Sequence, residues 1–188
     1  MIEDVAVFTG RGGQGTKLAV SVLGQAALAS GSYPMLYSIY DGLIRGGRIA
    51  STIIVGDQPP NTPIRSEFEV LAALHSGWFD RFQPKVPASG FVFYDPTYVS
   101  ADYPGLARTR AIPVDFAEVA GGLGDQRAAN MVAVGMVAAF WGRPSLDALA
   151  AAVKAVIPAH RQDRLDANLA SLEAGWQIGS PYRDQRRV

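Results

Sequence analysis

The 188-residue sequence predicts an α/β fold, with a twisted, mostly parallel sheet flanked by helices and a helical C-terminal segment. Before Phe116, short apolar runs rich in β-branched residues alternate with glycine-rich and helical segments, as in βαβ units. After Phe116, apolar residues recur at helical spacing. The length suits one domain with its own core. We predict this domain over residues 1–177 and a mobile basic tail over 178–188.

The first predicted unit is a strand, a loop and a helix. Residues 4–9 are rich in Val and Phe and predict a buried strand, and apolar residues at helical spacing over 16–29 predict the helix. Gly31 ends that helix, because glycine tolerates the left-handed conformation found at helix ends. Residues 34–40 predict a second strand, which completes one βαβ unit.

Four further strands are predicted before the helical segment. Their common signal is a short run of β-branched or aromatic residues between turn residues. They lie at residues 49–55, 67–74, 90–94 and 109–114. A proline-rich connector separates the first of these strands from the second.

Three helices are predicted in the C-terminal part. Residues 126–141 are apolar on nearly all faces, which is typical of a helix buried on most sides. Ser145 begins the next helix as its N-cap, and Pro158 ends it. Residues 161–176 carry leucines on one stripe and predict the last helix.

The composition excludes several classes of function. Lys plus Arg and Asp plus Glu are both 17, so the chain lacks the basic excess of a nucleic-acid-binding protein. There is no cysteine, which excludes disulfides, zinc–thiolate sites and cysteine-ligated clusters in these residues. The two histidines have no companion at ligand spacing, so we predict no metal. The longest apolar stretch is well short of the roughly 20 residues that span a bilayer, and we expect no membrane contact and a cytoplasmic location.

A glycine-rich loop, Gly10–Gly15, joins the first strand to the first helix with the spacing G-x-G-x-x-G. Glycines let backbone N–H groups converge, and the following helix directs its partial positive charge at them, so the loop indicates an anion site. The alternative is that Gly12, Gly13 and Gly15 serve only a tight turn and close packing. The Gln14 amide can fix the loop against another backbone segment or reach a ligand.

A dinucleotide-binding fingerprint also requires an acid about 20 residues further on, at the end of the second strand. Asp41 is the only acid nearby, and it comes late. Arg45 and Arg48 follow it and suit a phosphate better than a ribose diol. An independent NAD(P)-dependent reductase with Arg45 on a 2′-phosphate therefore stays open, as does a non-catalytic scaffold.

Together, GRGGQG at Gly10–Gly15 and Arg45-Gly46-Gly47 are more specific than the glycine spacing. They resemble the gamma subunit, or gamma domain, of 2-oxoacid:ferredoxin oxidoreductases, the group that acts on pyruvate, ketoisovalerate, indolepyruvate or aryl glyoxylates. Further features agree with the resemblance, which covers about residues 3–177: the Asp57–Pro59 turn, Asn130-Met131 with Gly135, and the helix containing Asn168 and Gly175.

The resemblance implies a role within a larger enzyme that converts a 2-oxoacid and coenzyme A to an acyl-CoA by oxidative decarboxylation. It implies alpha and beta subunits that carry thiamine diphosphate and magnesium, and a delta-type subunit that carries [4Fe-4S] clusters. Electrons then pass to ferredoxin or to an NAD-reducing subunit. This chain is expected to hold no cofactor or catalytic residue, to be inactive alone, and to have a structural, coenzyme A-gating role.

The candidate phosphate-facing residues follow from the same resemblance. They lie in the glycine loop and in the arginine-containing loop after the second strand. They are Gly12, Gly13, Gln14, Gly15, Arg45 and Arg48.

Overall fold

The computed structural model describes residues 3–42, 46–157 and 159–187. The strands in this part of the chain are β1 (Glu3–Arg11), β2 (Tyr33–Tyr40), β3 (Arg48–Gly56), β4 (Val70–Ala73), β5 (Phe91–Tyr94) and β6 (Arg110–Pro113). The α-helices are α1 (Thr16–Ala29), α2 (Phe79–Phe82), α3 (Phe116–Gly122), α4 (Ala129–Trp141), α5 (Leu146–Val156) and α6 (Leu165–Gly179). None of the described helices is long and apolar enough to cross a membrane.

The strands form one six-stranded sheet in the order β2-β3-β1-β4-β5-β6. Strands β1, β4, β5 and β6 pair in parallel, and β3 pairs antiparallel with both β1 and β2. Five strands therefore share one direction, and the predicted α/β fold with a mostly parallel sheet is confirmed. Strand β3 separates the two strands of the predicted βαβ unit. Its buried run over residues 49–56 suits an interior strand, whereas β2 is half exposed and forms an edge.

The two faces of the sheet are covered differently. On one face, Phe8, Phe91 and Phe93 pack against α1 and α3 to α6 in the main core. On the other face, Val7 and Leu71 pack under loops and the short helix α2. Strand β4 is shorter than the predicted 67–74, because the N–H of residue 68 donates to the carbonyl of residue 85 and the chain leaves the sheet there.

Helices α4 and α6 approach each other at the backbone. A Cβ added at Gly135 would lie 2.1 Å from the Leu172 carbonyl oxygen, and one at Gly175 would lie 2.0 Å from the Val132 carbonyl oxygen. Helix α4 is buried on nearly all sides, as its composition predicts. The first three residues of the predicted helix, 126–128, form a 3-10 turn, and α4 follows it.

The helix ends partly follow the predicted signals. Ser145 accepts a hydrogen bond from the N–H of Ala148 and caps α5, as predicted. Pro158, predicted to end that helix, lies outside the described residues. Helix α6 begins at Leu165 after a 3-10 turn and extends to Gly179, three residues beyond its predicted end.

The C-terminal segment also contacts the core. Residues 180–187 form 3-10 turns, and the Tyr182 ring lies 5.9 Å from Phe91 and 6.0 Å from Phe93 between centroids. The Arg183 Nε donates to the carbonyl of Ala139 at 3.0 Å. These contacts arise because an aromatic ring in the basic segment reaches apolar partners. The domain over 1–177 and the mobile tail over 178–188 stay predictions.

Candidate functional site

The glycine loop lies at the carboxyl end of β1, beside the loop that follows β4. Ligands of open α/β sheets bind at such carboxyl edges. The N–H of Gly12 donates to the carbonyl of Gly47 at 2.8 Å, and a Cβ at Gly12 would lie 3.3 Å from the Gly46 nitrogen. The two glycine segments singled out in the sequence are therefore in direct backbone contact.

Gln14 holds this loop in place. Its Oε1 accepts from the Arg11 N–H at 2.7 Å, and its Nε2 donates to the carbonyl of Leu74 at 3.3 Å. The side chain therefore joins the loop to the end of β4. Of the two alternatives for this amide, bracing the backbone is the one found here.

Gly13 and Gly15 differ in what surrounds them. Gly15 has a φ of +75°, and a Cβ there would lie 2.5 Å from Asn130 Nδ2, so both backbone conformation and packing require glycine. Gly13 has a φ of +103°, and a Cβ there would meet nothing within 4 Å. Close packing explains Gly12 and Gly15, whereas Gly13 exposes its backbone to open space.

A cleft of about 430 Å³ adjoins the loop, and Gly13 and Gly15 line it. Asn130 and Asn168 bring amide side chains to it from α4 and α6. The Asn130 Nδ2 donates to the Gly15 carbonyl at 3.1 Å, and the Asn168 Nδ2 donates to the Arg164 carbonyl at 2.7 Å. The first turn of α1 begins here, and no side chain caps it. The positive end of the helix dipole therefore adjoins the cleft.

Charged residues at the cleft add to this positive potential. The Arg127 Nε lies 2.8 Å from one Asp125 oxygen, and the Arg164 Nε lies 3.8 Å from the other. The hydrogen bond from the Arg127 side chain lowers the pKa of Asp125 below its usual value. The single carboxylate of Asp125 thus lies beside two guanidinium groups, so the residues that line the cleft carry a net positive charge. The arrangement suits an anion such as a phosphate.

Sequence reasoning did not identify these charged residues. The local signal available was the cap of the 3-10 turn before α4, where Asp125 accepts from the Arg127 N–H. Arg164 directly precedes α6 and Asn168 lies within it, and neither has a local signal that connects it to the glycine loop.

Arg48 lies on a different side of the loop and does not line the cleft. Its Nε lies 3.0 Å from an Asp41 oxygen, and its guanidinium carbon lies 5.1 Å from the Trp78 ring centroid. Arg81 contacts the same ring at 4.6 Å. The Arg48 side chain is 53% exposed and can reach a ligand above the loop. Arg45, predicted together with Arg48, lies outside the described residues.

Two titratable residues follow β4 and β5 at the same edge. His75 stacks on Tyr98 with 4.3 Å between ring centroids, and its Nδ1 accepts from the Gly77 N–H at 3.1 Å. Burial, and next the charge of Arg11, lower the pKa of His75. Burial raises the pKa of Asp95, whose Oδ1 accepts from the Thr97 N–H at 2.9 Å in the turn after β5. Among residues 3–42, 46–157 and 159–187, no three His, Asp or Glu side chains form a group that could hold a metal.

Comparison with known proteins supplies the family. The model of the family described as pyruvate ferredoxin/flavodoxin oxidoreductase matches residues 5–178. The chain belongs to this family. The matched range includes the glycine loop, Gly46-Gly47, the cleft and nearly all of α6, so the resemblance drawn from GRGGQG and Arg-Gly-Gly is confirmed.

One relative of this chain is the ketoisovalerate oxidoreductase subunit VorA of Methanothermobacter thermautotrophicus. It is 33% identical over 170 residues, which cover 89% of this chain and 35% of VorA. The chain therefore spans about a third of the length of that relative.

Solved structures share the fold. A keto/oxoacid ferredoxin oxidoreductase gamma subunit from Geobacter sulfurreducens matches with a TM-score of 0.78 at 24% identity, over 94% of this chain and 98% of that one. A 2-oxoglutarate:ferredoxin oxidoreductase from Magnetococcus marinus, solved with 2-oxoglutarate, coenzyme A and succinyl-CoA bound, matches with a TM-score of 0.82 at 17% identity. That match covers 96% of this chain and 32% of the larger one.

Proposed function

We propose that this chain is the gamma-type component of a multi-subunit 2-oxoacid oxidoreductase that forms an acyl-CoA by oxidative decarboxylation. Family membership over residues 5–178 and the gamma-subunit fold support this assignment. In the proposed complex, alpha and beta subunits carry thiamine diphosphate and magnesium, and a delta-type subunit carries [4Fe-4S] clusters. Ferredoxin or an NAD-reducing subunit accepts the electrons. The complex acts in the cytoplasm, and the chain alone has no activity.

A division of labour among chains agrees with the residues present. The 188 residues contain no cysteine, so they cannot supply the thiolates that hold an iron–sulfur cluster. What the chain offers instead is an anion-binding surface. Its role is therefore to bind or admit a phosphorylated substrate beside the catalytic subunits.

The observation that carries this proposal is the cleft at the uncapped start of α1. Coenzyme A carries phosphate groups, and a phosphate at this position meets backbone N–H groups, the positive end of the helix dipole and a guanidinium excess. Gly13 leaves its backbone open to the ligand, and Gly12, Gln14 and Gly15 hold the loop in shape. Arg48 provides a cationic group on the other side of the loop, and Arg45 stays a predicted phosphate contact.

The test measures KM for coenzyme A in the assembled enzyme. Arg48→Ala and Arg127→Ala should each raise it about tenfold, because each removes a cation that meets a phosphate, and should leave KM for the 2-oxoacid unchanged. Asp41→Asn removes the carboxylate partner of Arg48 and keeps its cation, so it should not raise KM. Arg108→Ala is the control for loss of an exposed arginine elsewhere.

Two outcomes separate the proposal from its alternatives. If neither arginine variant changes KM for coenzyme A, the loop acts as a scaffold and the phosphate-binding role is wrong. If only one variant raises KM, the result identifies which side of the glycine loop faces the phosphates.

The independent NAD(P)-dependent reductase gains no support from the geometry. In a dinucleotide-binding sheet, the acid that holds the ribose follows the strand next to β1. Here β3 lies between β1 and β2, and Asp41 is engaged by Arg48.

A further inference from the structure

A second concave surface lies on the sheet face opposite the long helices. Its floor is a row of register partners on three neighbouring strands, Tyr37, Thr52 and Val7. Phe68 and Phe82 form its inner wall, with 6.2 Å between ring centroids. We call this surface the basic groove, because its remaining wall carries Arg65, Arg81 and Lys85.

The floor of the basic groove is open toward the edge strand β2. Helices α1 and α3 to α6 pack on the other face of the sheet, whereas loops, 3-10 turns and α2 cover this one. Tyr37 is 42% exposed and Ile64, at the rim, is 67% exposed. Tyr33 lies on the same face of β2, because alternate residues of a strand share a face, and is 45% exposed. The apolar surface therefore extends beyond the groove along β2, an edge strand of the described sheet.

The cations at the rim are only partly balanced. Arg65 is paired with Glu3, with 2.7 Å between nitrogen and oxygen. Among the described residues, Arg81 and Lys85 form no ion pair. They lie over aromatic rings instead, Arg81 over Trp78 at 4.6 Å and Lys85 over Phe82 at 5.7 Å. The basic groove thus combines an apolar floor with two positive charges that lack a carboxylate.

We propose that the basic groove docks a segment of a partner subunit in which an apolar side chain is flanked by at least two carboxylates. This inference rests on the proposed function for the existence of such subunits. The groove volume of about 110 Å³ is below that of a cavity that holds benzene, so it fits one aliphatic side chain. The flanking carboxylates then meet Arg81 and Lys85.

A second copy of this chain fits the groove less well. In a two-fold contact, the same patch occurs on both copies, so each basic rim would face another basic rim. Like charges placed together across an interface are strongly unfavourable. A small carboxylate would leave Tyr33 and Ile64 uncovered, whereas a protein segment covers them.

The experiment uses the assembled enzyme from the source cells, with p-benzoylphenylalanine replacing Tyr37. After illumination, mass spectrometry identifies the crosslinked peptide. We expect a peptide from another subunit with an apolar residue between nearby Asp or Glu residues. The double variant Arg81→Glu/Lys85→Glu should lower the crosslink yield about tenfold or more. The control variant Arg108→Glu/Lys154→Glu makes the same charge change at exposed positions outside the groove and should leave the yield unchanged.

Several results would overturn the proposal: a peptide from a second copy of the chain, a neutral or basic peptide, no crosslink, or a yield that the double reversal leaves unchanged. If the double variant does not fold, Arg81→Gln and Lys85→Gln each test the same attraction, with an expected loss of about threefold. Thiamine bound to the purified enzyme is measured in parallel. The absence of thiamine would count against the proposed function. The sequence of the crosslinked peptide separately decides whether the basic groove docks an acidic segment of a partner subunit.

Discussion

Gly175→Ala tests the close approach of α4 and α6. The added Cβ would lie 2.0 Å from the Val132 carbonyl oxygen and 2.7 Å from the carbonyl carbon of the same residue. Both atoms belong to the backbone of a buried helix and cannot rotate away as a flexible side chain can. The helices must therefore separate until this contact reaches about 3.4 Å.

Two opposing effects set the size of the change. Replacing glycine by alanine in a helix favours folding by about 1 kcal/mol. Overpacking a core costs about 1–3 kcal/mol, and we take about 3 kcal/mol because the clash is with backbone. The net prediction is a loss of about 2 kcal/mol, or a fall in Tm of about 4–8 °C for a domain of this size.

Gly121→Ala is the matched control for this prediction. It makes the same substitution in α3, where the nearest heavy atom to the new Cβ is 3.7 Å away. It should stabilise the chain by about 0.5 kcal/mol. Urea denaturation followed by circular dichroism measures both variants. If Gly175→Ala proves as stable as the wild type, the helices do not approach as closely as described.

Three further predictions concern charged groups. Arg143→Ala removes the guanidinium partner of the buried Asp4 and should cost about 3 kcal/mol in urea denaturation, whereas Arg127→Ala, in an exposed pair, should cost much less. Burial raises the pKa of Asp95 above 3.8, so ionisation of this carboxyl destabilises the folded state. In urea denaturation, Asp95→Asn should therefore become more stable relative to the wild type as pH rises above about 4, and should lose that advantage below it. Burial lowers the pKa of His75 below 6.5, so the unfolded state binds a proton at this imidazole first, and stability should fall as pH drops below about 6.5. NMR titration of the imidazole should give a midpoint below 6.5. A midpoint above 6.5 would contradict the burial argument.

Local signals predicted the elements better than their arrangement. The first helix, Thr16–Ala29, has the predicted bounds because glycines stand near both of its ends. The position of β3 between β1 and β2 depends on pairing between distant residues, which the pattern of a single strand does not determine. The apolar runs that alternate with glycine-rich and helical segments therefore identified six strands, but not the order of these strands in the sheet.

The candidate site shows the same limit. The sequence identified the glycine loop and left two uses for Gln14, since an amide can bond a backbone or a ligand equally well. The choice depends on Leu74, which tertiary packing brings to the loop. The amide of Asn168 and the guanidinium of Arg164 reach the cleft in the same way, through the packing of α6 against α4.

We propose that this chain works as a component of a thiamine-dependent 2-oxoacid oxidoreductase. Native mass spectrometry of the tagged chain, purified anaerobically from its own cells, tests it most directly. We predict recovery with larger subunits that bring thiamine diphosphate and iron. Recovery of the chain alone, or as a homo-oligomer with a bound nucleotide, would contradict the claim.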